Sequence, residues 1–254
     1  MSDDARIWTA GLLVIGDEIL SGRTQDLNVA QIGTWLNLQG IRLREVRMVP
    51  DRIEAIAEAT NALRARYDYL FTTGGIGPTH DDITVDGIAA ALGLPVVVHP
   101  AARAALEAYY AGRGQSVNEA RLRMARVPEG AELIENRFSG APGIKVGNIY
   151  ILAGVPRIAA MMLDALTGML EGGRPLLSRT LGCWAPESEV AELLEATEKA
   201  HERCQIGSYP FFRDGKAGAN FVVRSDDEAE LEACTSELER GLRGLGHEVT
   251  EGGI

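Results

Sequence analysis

Along the first hundred residues, short apolar runs alternate with longer segments whose apolar positions recur every three or four residues. "ARIWTAGLLVIGDEIL" contains "AGLLVI", a run apolar enough for a strand covered on both faces, broken at Gly16-Asp17-Glu18. "DLNVAQIGTWLNLQG" predicts a helix, with Asp26 as N-cap, a stripe of Val29, Ile32, Leu36 and Leu38, and Gly40 as the stop. "IRLREVRMV" reads as a strand with one face covered. In "PDRIEAIAEATNALRARY", Asp51 stands three residues before Glu54, the spacing of a capping box, and Ile53, Ile56, Ala57, Ala59 and Leu63 mark the buried side. "DYLFTT" is the next strand, "ITVDGIAAALG" a short helix ended by Gly93, and "LPVVVH" a further strand.

This alternation predicts an α/β fold: a mainly parallel sheet with helices on both faces. "PAARAALEAYYAGRG" is helical from Pro100, and Ser116 with Glu119 repeats the capping-box spacing. "GIKVGNIYIL" changes character. Two β-rich runs around Gly147-Asn148 predict a hairpin that gives the sheet an antiparallel edge. "GVPRIAAMMLDALTGMLEGG" closes this unit as a helix whose methionines fill the core. Gly172-Gly173 with Pro175 marks a linker, so residues 1–172 form one domain. Residues 175–254 predict strand, helix, strand, strand, helix, a small C-terminal α+β domain.

Composition narrows the function classes. Hydrophobic residues at 46% and charged residues at 24% are an ordinary globular balance, which excludes disorder. No apolar stretch is long enough to span a bilayer, and the acidic start "MSDDARIW" is neither signal nor transit peptide. A soluble cytoplasmic protein without membrane or nucleic-acid partners is expected, since a net charge of −11 repels nucleic acid. Cys183, Cys204 and Cys234 are an odd number without zinc spacing, as in a reducing compartment.

The candidate chemistry lies in loops after strands. "TTGGIGPTHDD", residues 72–82, follows "YDYLF" directly. Gly74, Gly75 and Gly77 let a ligand approach the backbone, and loops at the carboxyl ends of strands line the usual crevice of an open α/β sheet. The same residues also suit a tight turn, with Thr79 or Asp81 as N-cap and Asp82 and Asp86 favouring the helix dipole. Neither a Walker-type phosphate loop nor a dinucleotide fingerprint fits the spacing. "GDEILSG" brings Gly16, Asp17 and Glu18 to the same sheet edge if the two strands are parallel. Four carboxylates there (Asp17, Glu18, Asp81, Asp82) would repel one another unless a divalent cation such as Mg²⁺ or Mn²⁺ held them. "SGAPG" and "AGVP" flank the hairpin, and the second opens a helix N-terminus that suits a phosphate. Lys145, between them, could neutralise one or be a solvated edge residue. The four histidines have no metal-ligand spacing, and His80 is read as a bystander.

"VIGDEILSGRTQDLN", "TTGGIGPTHDDIT", "SGAPG" and "LAGVP", in this order and spacing, resemble the molybdopterin-binding-like domain of the competence/damage-inducible protein A family, within the MoaB/Mog superfamily. "RMARVPEGAELI" and "NIYILAGVP" are similar to segments of the corresponding domain of eukaryotic FAD synthase. The resemblance covers roughly residues 7–170, and the remaining unit is similar to the compact domain that follows in the competence family. It implies a MoaB/Mog-like fold, a homo-oligomer and a phosphorylated small-molecule ligand, dinucleotide or pterin. Relatives are associated either with metal-dependent cleavage of the pyrophosphate in ADP-ribose or FAD, or with molybdopterin binding for cofactor assembly. Because the sequence ends at Ile254, neither the amidase domain of full-length competence proteins nor an FAD-making domain is expected. The expected activity is a divalent-metal-dependent (Mg, Mn or Co) pyrophosphohydrolase of ADP-ribose-like or flavin dinucleotides. Its alternative is a non-hydrolytic binder of molybdopterin or its adenylylated form. Asp81 and Asp82 would be catalytic, with Asp17, Glu18, Asp81 and Asp82 on the metal. Gly74, Gly75, Gly77, Thr79, Gly16, Gly143, Lys145 and Pro156 would hold the ligand.

Overall fold

The computed structural model describes residues 6–136, 138–213 and 215–254; the acidic start, residues 1–5, lies outside them. The chain divides after Gly173 into two compact units. The first contains β1 (Trp8–Ile15), α1 (Asp17–Leu20), α2 (Asn28–Leu38), β2 (Ile41–Val49), α3 (Ile53–Arg66), β3 (Tyr69–Thr73), α4 (Thr84–Leu92) and β4 (Val96–Val98). It continues with α5 (Pro100–Ala111), α6 (Glu119–Leu122), β5 (Arg126–Pro128), β6 (Glu132–Ile134), β7 (Gly143–Val146), β8 (Ile149–Leu152) and α7 (Pro156–Leu166).

The main sheet runs β2-β1-β3-β8-β7-β6. β2, β1, β3 and β8 are parallel, and β7 and β6 extend the sheet antiparallel. β1 is buried on both faces because it is central. Leu12 and Val14 join Ile32, Leu36 and Phe71 beneath α2 and α7, while Leu13 and Ile15 join Ile56, Leu63 and Ile88 beneath α3 and α4. This is an α/β fold, a mainly parallel sheet with helices on both faces. The expected hairpin forms, with Gly147 at φ +57 in its turn. It is not the sheet edge, however: β8 inserts beside β3, and β6 becomes the edge strand.

Three local expectations are corrected. "LPVVVH" does not enter the main sheet; β4 pairs only with β5 in a separate two-stranded ladder. Leu38 faces solvent, and Trp35 takes its place in the buried stripe of α2, donating its indole N–H to Thr167. Capping-box spacing misleads twice. Asn118 rather than Ser116 caps α6, and α3 has no side-chain cap because Asp51 accepts a hydrogen bond from elsewhere.

The second unit contains β9 (Leu177–Cys183), α8 (Glu187–Ala200), β10 (Gln205–Arg213), β11 (Lys216–Ser225), α9 (Glu228–Gly244) and β12 (Val249–Glu251). Its antiparallel sheet, β10-β11-β9-β12, shares with α8 and α9 a core of Leu181, Val190, Phe221, Leu231 and Leu238. The three cysteines are free and buried in that core. Among the described residues no helix is long and apolar enough to cross a membrane.

Candidate functional site

Because β2, β1, β3 and β8 are parallel, the segments leaving them emerge along one edge. The register places Ile15 beside Val49, Val14 beside Thr73, and Thr73 beside Leu152. Four connections therefore meet there: Pro50-Asp51, Gly16-Asp17-Glu18, the loop from Gly74 to Asp82, and Ala153-Gly154-Val155 leading into α7. The expected convergence of the Gly16-Asp17-Glu18 and Gly74–Asp82 loops follows from this topology, and the edge also gathers Pro50-Asp51 and Ala153-Gly154-Val155.

Backbone approaches at the edge are close enough to require glycine. A Cβ on Gly74, whose φ is +99, would stand 2.0 Å from the Ile15 carbonyl oxygen. One on Gly154 would come within 3.1 Å of the Gly74 Cα, so the β1, β3 and β8 exits lie against one another. Gly75 packs on Thr84, whose hydroxyl donates to the Gly74 carbonyl at 2.8 Å. Gly16 leaves room for the carboxylate of Glu18, which would stand 2.6 Å from a Cβ there.

The acidic residues divide by role. Asp82 is turned into its own loop, where its carboxylate accepts the Gly77 N–H at 2.7 Å, the Thr79 N–H at 2.7 Å and the Thr79 hydroxyl. Thus Gly77 and Thr79, expected as ligand donors, direct those N–H groups at Asp82, which braces the loop. Asp81 points outward with 67% of its side chain exposed. The Thr79 hydroxyl, whose one proton is shared between Asp82 and Asp81, holds the Asp81 pKa below the usual carboxylate value together with the Asp81 backbone N–H, His80 and Arg123, against a smaller desolvation effect.

Asp51, which the sequence reading assigned to a helix cap, belongs to this edge. It accepts the Asp17 N–H at 2.8 Å. Burial pushes its pKa up, opposed by that hydrogen bond and reinforced by repulsion from Glu18, Asp17 and Asp81. A cation is what such a set of mutually repelling carboxylates accommodates. Among the described residues, however, no three acidic, histidine or cysteine side chains stand close enough to hold an ion alone. Magnesium commonly needs only one or two carboxylates when phosphate oxygens and water supply the rest, so these residues fit a cation that shares its shell with a bound phosphate.

Positive charge comes from an unexpected place. Lys145 pairs with Glu132 at 3.1 Å and lines a different cleft, with Tyr150 and Leu166, away from the glycine loop. Arg123 and Arg126 instead line a small cleft with Gly75, Gly77, Asp82 and Pro142. Arg123 donates to the Asp82 carbonyl at 3.2 Å, while its Nε is buried without a hydrogen-bond partner; Arg126 pairs with Asp86. Gly143 begins β7, where a Cβ would crowd Met162 and the Ile151 carbonyl, so its role here is packing. Pro156 starts α7 at the edge itself.

Two buried acceptor-bearing groups also stand at this edge. Asn28, 3% exposed, donates Nδ2 to the Gly154 carbonyl at 2.8 Å, leaving its Oδ1 without a partner. The hydroxyl of Thr73, the residue before Gly74, is likewise buried and unpartnered. Native interiors rarely leave such groups unsatisfied, and a polar ligand is one way to satisfy them. Asp51 was legible in principle, because it follows a strand as Asp17 does. Asn28 closes "VIGDEILSGRTQDLN", and Arg123 and Arg126 open "RMARVPEGAELI", but neither stretch assigns these three residues any chemistry by its spacing.

Residues 11–172 match the family model described as "Probable molybdopterin binding domain", and residues 175–246 match "FAD synthase, middle domain". A protein of Aeropyrum pernix is 34% identical, with the alignment covering 99% of this chain and 98% of that one. A "Probable FAD synthase" of Caenorhabditis elegans is 30% identical over 93% of this chain, which spans 50% of that protein's length. Among solved structures, the protein CinA of unknown function from Thermoplasma acidophilum superposes with a TM-score of 0.59 at 34% identity, covering 63% of this chain and 96% of that one.

Proposed function

The chain belongs to the family described as "Probable molybdopterin binding domain", and on that premise we propose that it is a divalent-metal-dependent pyrophosphohydrolase of ADP-ribose-like or flavin dinucleotides. The observation that carries this reading is the juxtaposition of Asp17, Glu18, Asp51 and Asp81 beside a glycine loop lined by Arg123. A pyrophosphate calls for both: guanidinium and backbone donors for its oxygens, and carboxylates for the cation that accompanies it. The second unit's match to the middle domain of FAD synthase favours a dinucleotide over a lone pterin phosphate.

Asp81, exposed and readily ionised, would hold the cation together with Asp17, Glu18 or Asp51. A bound divalent cation supplies charge neutralisation to the phosphoryl oxygens and acidifies an attacking water. Arg123 would neutralise charge on the phosphoryl oxygens, and at the start of α7 the Arg157 N–H would be a further donor to the second phosphate, since Pro156 has no N–H and those of Ile158 and Ala159 bond the Val155 carbonyl. Asp82 holds Gly77 and Thr79 in the shape the loop needs. Water adds to one phosphorus and the bridging P–O bond breaks, giving AMP with ribose 5-phosphate from ADP-ribose, or AMP with FMN from FAD.

The test is AMP release from ADP-ribose and from FAD by the pure protein, with and without Mg²⁺, Mn²⁺ or Co²⁺. Metal-dependent release that is lost in Asp81→Asn is expected. A folded protein that releases no AMP with any of the three metals would overturn the assignment. The family's own description favours one other reading, a non-hydrolytic molybdopterin binder. Pterin fluorescence in the purified protein, with no turnover, would select it.

A further inference from the structure

Phe138 is 42% exposed, and the guanidinium of Arg157 lies 4.6 Å from the centre of its ring. The proposed hydrolysis uses neither residue. Phe138 is nonetheless held in place: Asn136, 8% exposed, donates to Ser139 and to the Ala141 carbonyl at 2.7 Å and accepts the Phe138 N–H at 3.0 Å. A braced turn that presents a large aromatic ring to solvent has little to gain from packing. It suits recognition of a flat ligand.

The sheet fixes where this ring stands. β7 runs antiparallel to β8, with Ile144 opposite Ile151, so the segment entering β7 at Gly143 arrives at the edge where β8 ends. In strand order, that edge presents Asp51 after β2, Asp17 and Glu18 after β1, the glycine loop after β3, the start of α7 after β8, and Phe138 to Pro142 before β7. Pro142 lines the same cleft as Gly75, Gly77 and Arg123, and Arg157 is the second residue of α7. The edge is thus acidic at one end and aromatic at the other. Val155, 55% exposed, adds apolar surface at the aromatic end. β3 and β7 are two strand spacings apart, about 10 Å, close to the reach from a nucleotide's phosphate to the middle of its base.

We infer that Phe138, backed by Arg157, is the stacking platform for the adenine base of the dinucleotide's AMP half. This rests on the dinucleotide reading of the same site. ADP-ribose contains only one aromatic ring, and that ring is the one it shares with FAD. A single platform serving both substrates must therefore take adenine. The pyrophosphate then lies over β3, between Arg123 and the carboxylates, and the remaining half extends toward the acidic end.

Calorimetric titration of the full chain with AMP, FMN and ribose 5-phosphate tests this without turnover. Phe138→Ala should weaken AMP binding on the order of tenfold or more, leave ribose 5-phosphate unchanged, and raise the KM for ADP-ribose with little change in kcat. Phe138→Trp should restore AMP binding, separating loss of stacking from loss of the loop's shape. Unchanged AMP affinity in Phe138→Ala, an equal loss for ribose 5-phosphate, a loss confined to FMN, or no AMP binding by the parent would each overturn the inference. If AMP binding depends on Phe138 but the parent hydrolyses nothing, the hydrolase assignment falls and the platform stands. Hydrolysis with AMP affinity indifferent to Phe138 gives the converse.

Discussion

Asp81 and Asp82 are neighbours of the same chemical type, yet the loop geometry predicts opposite outcomes for their removal. Asp82→Ala deletes an acceptor of three hydrogen bonds: the Gly77 N–H, the Thr79 N–H and the Thr79 hydroxyl. At about 0.5–1.5 kcal/mol net for each bond, the loss would be about 1.5–4.5 kcal/mol. Water replaces part of it in a half-buried loop, so about 1.5–3 kcal/mol is expected. For a unit of this size that is a fall in melting temperature of about 3–10 °C. Asp82→Asn keeps one acceptor oxygen and should lose less. Asp81→Asn, at a side chain that is 67% exposed, should stay within about 0.5 kcal/mol of the parent while abolishing metal-dependent turnover. Urea denaturation followed by circular dichroism measures the stabilities, and hydrogen exchange at the Gly77 and Thr79 amides reports the loop directly. The reasoning is refuted if Asp82→Ala costs less than about 0.5 kcal/mol and those amides exchange no faster, because the carboxylate would then not be the brace.

Gly74→Ala places a Cβ 2.0 Å from the Ile15 carbonyl oxygen at φ +99, so a loss of more than about 3 kcal/mol or failure to accumulate folded protein is expected, measured by soluble yield and thermal melting. At Asp51, whose pKa is raised chiefly by burial and by neighbouring carboxylates, the folded state holds more protons than the unfolded one. Its repulsion therefore disfavours the fold at neutral pH and is relieved by acid or a cation. A divalent cation at ten times its Kd should stabilise the parent by about 1.4 kcal/mol, or about 3–5 °C, and Asp51→Asn less, in a thermal-shift assay. At Asp68, burial raises the pKa, but the Thr9 hydroxyl, the Thr9 N–H and Arg6 outweigh it and the net shift is downward. Its contribution is therefore complete above about pH 4 and lost as pH falls through the folded value, so acid-unfolding curves of Asp68→Asn should be shallower over that window.

The elements that could be read from the chain were those whose period admits one solution. β1 reads as buried on both faces because six consecutive residues from Ala10 are apolar or glycine, and α4 reads as a helix closed by Gly93, which stands at φ +65. What could not be read was partnership. Val96–Val98 has the composition of a sheet strand, but only tertiary packing decides whether it joins β3 or β5. Lys145 shows the same limit: a cation on a strand near Gly/Pro turns suggests a phosphate partner, whereas Glu132 directly across the β6–β7 pair takes it. Asp51 carries the local signature of a cap and Asp82 that of a helix-dipole partner, and in the fold Asp51 accepts the Asp17 N–H while Asp82 accepts those of Gly77 and Thr79. The acidic edge was visible from its glycines. Its cationic wall, Arg123 and Arg126, lies beyond β4 and α5 in the chain, and no spacing rule links it to Gly75.

The insertion of β8 between β3 and β7 also sets the order in which the molecule can be made. Leu70 pairs with Gly11 on one side but finds its second neighbour only at Ile149, so a growing or truncated chain that stops short of β8 leaves β3 as a bare, apolar edge. Such an edge invites pairing with other chains. Long-range closure of this kind is slow, because the intervening loop must be ordered before the contact rewards it. Gly154 and the start of α7 arrive only with that closing strand. The ligand edge is consequently among the last parts of the first unit to exist, and a folding intermediate that has β1, β2 and β3 in place would carry all the acidic residues and still lack the wall that faces them.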